Sequence, residues 1–116
     1  MKYAVVGGTG NGALSETLRQ ARSEGLVPSV YCHPVGYHGH GAGPPIGMTD
    51  YQNGVPFSGD YAFRAGSWHS IELNVSHAVP EWGGQLVRFP LEEDAVLTEK
   101  GWQWVAGRQA SFYLVR

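Results

Sequence analysis

Between Pro34 and Gly66 the chain places a glycine or a proline at twelve positions, among them the pair Pro44-Pro45. Residues that break helices at this density leave no room for a long helix. A compact domain seldom keeps so long a loop-rich region without a use for it. Regular structure must therefore come from the flanks. On the N-terminal side, Leu14, Leu18 and Ala21 recur at helical spacing against Glu16, Arg19, Gln20 and Arg22, so Ala13–Glu24 is expected to form the one amphipathic helix, stopped by Gly25. On the C-terminal side the strand-forming runs are Trp68–Val75, Gln85–Phe89, Ala95–Thr98, Trp102–Val105 and Ser111–Val115. Gly83-Gly84, Lys100-Gly101 and Gly107 are the turns between them. Met1–Val6 reads as a short strand or an entry segment, and Leu26–His33 reads as a strand. The expected class is α+β, with one N-terminal helix packed on a curved antiparallel sheet.

A length of 116 residues fits one domain, 1–116, with a small core. The net charge of -2 lacks the Lys/Arg cluster that phosphates or an anionic membrane would require, so neither nucleic acid nor membrane is an expected partner. Cys32 is the single cysteine and can form no internal disulfide. No apolar run approaches the roughly 18 residues of a membrane span, and a cytoplasmic protein is the expectation.

The opening Val5-Val6-Gly7-Gly8-Thr9-Gly10-Asn11-Gly12, ahead of a helix, is like the phosphate-binding turn of a dinucleotide-binding domain. Its glycines do not fall at G-x-G-x-x-G, no acid ends the next strand at Tyr31-Cys32-His33, and βαβ units do not follow. A turn with a helix cap is the simpler reading.

Three of the five histidines lie within eight residues, His33, His38 and His40. Imidazoles beside glycines suit a divalent transition metal, and they equally suit loop histidines bonded to carbonyls. Glu72 stands among Ile71, Leu73 and Val75, where a buried charge would need a partner and an outward-facing one would not. Glu92-Glu93-Asp94 sets three acids side by side, an arrangement that favours a cation.

The order of these motifs resembles the C-terminal half of a pita-bread metallopeptidase of the creatinase/aminopeptidase P/methionine aminopeptidase superfamily. His33-Pro34-Val35-Gly36 and Gly39-His40-Gly41-Ala42-Gly43 match its histidine segment, and Gly66–Glu72 matches the segment ending in Ile-Glu. Arg88 through Gly101 matches its Arg-x-Glu-Asp and Val-Leu-x-Thr-Glu-x-Gly run. The resemblance spans residues 7 to 116. It implies half of a pita-bread catalytic domain and a site for Mn, Zn or Fe held by His40, Glu72 and Glu93, with Glu92 and His38 as alternates. His33 and His38 would serve the catalytic groove, and the substrate would be an Xaa-Pro peptide or a small amide.

The family's two aspartate ligands precede the histidine, whereas this chain has no aspartate before Asp50. Asp50 and Asp60 read as loop residues. The family's substrate histidine falls at Gly47, with His69 or His77 as spatial substitutes. The alternative is a non-catalytic half-domain that self-associates or binds protein through Trp68, Trp82, Trp102, Trp104, Phe112 and Tyr113. A homodimer that hides these side chains is expected, against the alternative of a monomer that holds them in its core.

Overall fold

The computed structural model describes residues 2–115. One helix, α1 (Gly10–Ser23), is followed by β1 (Val27–Val30), β2 (His33–Gly36), β3 (Gly39–His40), β4 (Trp68–Val79), β5 (Gln85–Thr98) and β6 (Gly101–Trp104). All neighbouring strands run antiparallel in the order β3-β2-β4-β5-β6, with β1 pairing β4. The expected α+β class with one helix is what forms.

Local chemistry sets the helix ends. The Thr9 side chain accepts from Gly12 N at 3.1 Å, satisfying one of the free amides of the first turn. At the other end Gly25 takes φ +77, and Leu26 N donates to Ala21 O at 3.1 Å, which closes the final turn. Ala13, Leu14 and Leu18 are buried against the sheet. Gly10 is required for a different reason: a Cβ there would lie 1.9 Å from Pro45 O. Gly10 therefore seats the helix start against the Pro44-Pro45 loop, in keeping with a turn and cap.

The glycine-rich segment is ordered by two amides. Asn11 Nδ2 donates to Val55 O and to Asp60 Oδ1, and Asn11 Oδ1 accepts from Val55 N at 2.7 Å. Gln52 Nε2 donates to Val30 O and Met48 O, each at 2.8 Å, while its Oε1 accepts from Val30 N. These side chains supply the backbone partners that a ladder would otherwise provide.

The core lies between α1 and one face of the sheet, with Leu14, Leu18, Val30, Cys32, Phe63, Ile71, Ala95 and Leu97 all buried. Cys32 is the buried small side chain its type favours. Its Sγ donates to Glu72 O at 3.3 Å, and burial pushes the thiol up to about 12. His69 is fully buried on the same face, edge-on to Phe63 and Trp102, and its Nε2 donates to Pro44 O at 2.9 Å. Its Nδ1 meets no partner.

Burial holds the His69 pKa below the ordinary 6.5, opposed by the Pro44 bond. The folded ring therefore stays neutral where an unfolded one would take a proton. Its contribution is complete above about pH 6.5 and is lost as pH falls from there toward the folded value, by up to about 1.4 kcal/mol per pH unit. Urea unfolding of the parent and of His69→Gln between about pH 7.5 and 5.5 checks this. The parent should lose stability more steeply, and equal slopes would contradict it.

Three expectations need correction. Of the two readings of Met1–Val6 the strand does not form over its described residues, because the chain turns at Gly7–Gly8 to bond Phe63. Ser111–Val115 also forms none: no strand lies beside it and Phe112–Val115 are exposed. Gln85–Phe89 and Ala95–Thr98 are not separate, since β5 runs unbroken through the acidic run between them. Of the expected aromatic patch, Trp102 and Trp104 pack against the core while Trp82, Phe112 and Tyr113 stand exposed. No helix is long and apolar enough to cross a membrane among the described residues.

Candidate functional site

Side chains alternate across a strand, so the pairing register decides which residues share a face. His33 lies opposite Ser70, and Glu72 lies opposite Glu92. Tyr31, whose amide donates to Glu72 O at 3.0 Å, belongs to the same alternating set as His33. His40 pairs with Val35 across the β2–β3 hairpin and arrives beside His33. Tyr31, His33, His40, Ser70, Glu72 and Glu92 thus occupy the sheet face away from α1. The face that holds Cys32, His69 and Ile71 faces the core.

On the helix-free face, His33 Nε2 and Glu72 Oε1 are 2.8 Å apart, with side chains 13% and 28% exposed. His33 Nδ1 lies 3.0 Å from Pro34 O. Both ring nitrogens thus face acceptors, and each donates to its neighbour where it carries a hydrogen. The His40 ring stacks on His33 at 3.8 Å between centroids, and its Nε2 is 3.2 Å from the Tyr31 hydroxyl. Tyr31, His40, His33 and Glu72 form one continuous polar cluster. Beside it opens a cleft of about 380 Å³ walled by Ser29, Tyr31, Glu72, Asn74, Arg88 and Glu92. The opposed carboxylates of Glu72 and Glu92 would repel. His33 engages the first, and Ser70 Oγ donates to the second at 3.2 Å.

The expected ligand set is only partly assembled. Glu72 and His40 share this face. Glu93 lies opposite Ile71, on the other side of the sheet, where it accepts from Gln109 N at 2.8 Å. Its neighbour Glu92 takes the place beside Glu72. A metal ion needs three or more donors around one point at about 2.0–2.2 Å, and no group of three or more His, Cys, Asp or Glu residues is so placed among the described residues. His40, Glu72 and Glu93 therefore do not fit a metal ion as a set.

His38 sits on the exposed β2–β3 turn with φ +66, edge-on to Tyr37 and outside the cluster. His33, expected at the groove, lies in the polar cluster and reaches the cleft only through Glu72. Neither substitute for the family's substrate histidine reaches the cluster: His69 is in the core, and His77 is exposed farther out on β4. Asp60 ends a short 3-10 helix, Ser58–Asp60, and accepts from Asn11 Nδ2, and Asp50 lies in a turn.

Sequence reasoning passed over Tyr31 and Arg88. The period-two step from His33 back to Tyr31 would have found the first. Arg88 enters the cleft wall only through the β4–β5 register. No protein-family model, no curated protein and no solved structure matches the chain.

Proposed function

We propose that the chain is the histidine- and glutamate-bearing half of an aminopeptidase-type hydrolase of the pita-bread metallopeptidase kind, acting on Xaa-Pro peptides or related small amides. The observation that carries this reading is the His33–Glu72 contact of 2.8 Å, stacked on His40 and opening onto a cleft of about 380 Å³ on the uncovered sheet face. The order of the His-Pro, Gly-His-Gly, Ile-Glu and Glu-Glu-Asp motifs supports it as well.

A divalent cation in such an enzyme supplies a Lewis acid and an activated water. Since this chain does not assemble a complete ligand set, the residues' own roles are the ones to derive. Glu72, which lines the cleft, can accept a hydrogen bond or a proton from a bound substrate or water, with His33 holding the carboxylate in orientation. The Tyr31 hydroxyl and the stacked His33 ring fix the second imidazole, that of His40. Arg88 and Glu92 offer opposite charges to the two ends of a short peptide in the cleft.

The test is turnover of an Xaa-Pro dipeptide and of the same dipeptide without proline, with and without added Mn2+. Cleavage of the Xaa-Pro substrate that falls on the order of 100-fold or more in His33→Ala supports the reading. No cleavage under any of these conditions, with the fold intact by circular dichroism, overturns it.

A further inference from the structure

The β4–β5 hairpin outruns the rest of the sheet. β1 reaches only Ser76, and β6 covers only Ala95–Thr98, so the hairpin end is a two-stranded arm. On the face that continues the core, the cross-strand pairs Leu73–Leu91, Val75–Phe89 and His77–Val87 form a mostly apolar ladder, in which Leu73 packs against the core and the rest runs outward beyond it. Leu91 is 57% exposed and Phe89 37%. The same molecule carries a second unpartnered apolar element. Phe112, Tyr113, Leu114 and Val115 are 83–98% exposed, in a tail that leaves the sheet over Glu93 at the base of the same face. The two elements do not meet within the chain.

The free edge of β5 is a poorer partner for the tail than the arm's face. Asp94 O bonds Val105 N on the side away from β4, and alternation points the Pro90 amide position the same way. Proline has no hydrogen to give there, so the edge lacks a donor in the middle of its free stretch.

We propose that the arm face is a docking surface for a second copy of this chain: Ser111–Val115 of each copy lies along the arm of the other, about a two-fold axis. Length permits it, because the five tail residues span about 17 Å when extended, within the reach of a strand pair of similar length. Area selects the reciprocal arrangement. Two aromatic, one leucine and one valine side chain bury on the order of 500 Å², and the arm beneath loses a similar area. One such contact totals roughly 1,000 Å², below the roughly 1,200–2,000 Å² of a stable interface, and two reach it. The surface lies across the sheet from the histidine–glutamate cluster and does not depend on the hydrolase reading.

Sedimentation velocity on the whole chain and two variants tests this. The parent should sediment as a dimer, while Leu91→Glu and deletion from Ser111 onward should each give a monomer with the parent's melting temperature. The double variant Phe89→Cys with Leu114→Cys should form a disulfide between copies under oxidation, with buried Cys32 uninvolved. A monomeric parent, a disulfide within one chain, or a dimer that survives both the substitution and the deletion would overturn the proposal. If Leu91→Glu does not fold, the deletion decides alone, since it removes side chains that are almost fully exposed.

Discussion

Gly10→Ala is expected to destabilise the protein by about 3 kcal/mol or more, although alanine is the better helix former by about 1 kcal/mol. The added methyl would stand 1.9 Å from Pro45 O and 3.2 Å from Gly59 O, both backbone atoms that no rotamer change can move. Relief requires α1 to lift from the Pro44-Pro45 loop. That loop holds the carbonyl to which His69 donates, and Asn11, the next residue, ties the helix to Val55 and Asp60. The loss should therefore spread from the helix start to the core. Urea unfolding checks it: a midpoint within error of the parent would mean that the helix start is not packed as described.

The second large effect concerns the two glutamates. Glu72→Gln keeps the shape but weakens the bond to His33, and it should lower any Xaa-Pro hydrolysis on the order of 100-fold or more. Glu93→Gln should leave hydrolysis within about threefold, because its carboxylate lies across the sheet, bonded to Gln109 N. The two rates measured side by side distinguish the faces. Equal losses would mean that both carboxylates serve one site, contrary to the register seen.

That contrast shows how far the sequence could be read. Helical spacing and Gly25 located α1 to within a few residues, and His33, His40 and Glu72, which the motif order had grouped, lie together on one sheet face. The position of Glu93 was not legible, because it hangs on the length of one loop. A turn at Gly83-Gly84 alone would pair Trp82 with Gln85 and set Glu93 on the face of Glu72. Instead the loop takes in Pro80–Gly84, with Pro80–Trp82 in a 3-10 turn, and Val79 pairs with Gln85. This changes the parity of the pairing, and every β5 side chain changes face. Motif order is insensitive to such a shift. The tail was misread for a related reason: Ser111–Val115 has strand-forming composition, and composition does not say whether a neighbouring strand is there to pair with it.

The most direct test of the account is the imidazole nitrogen spectrum of the protein in mildly acidic solution. The His33 Nε2–H signal should be protected from exchange by the bond to Glu72. Glu72→Gln should shift that signal strongly and remove its protection, while Glu93→Gln leaves it unchanged. A His33 signal indifferent to Glu72→Gln, or one that responds to Glu93→Gln, would contradict the placement of the cluster on the helix-free face.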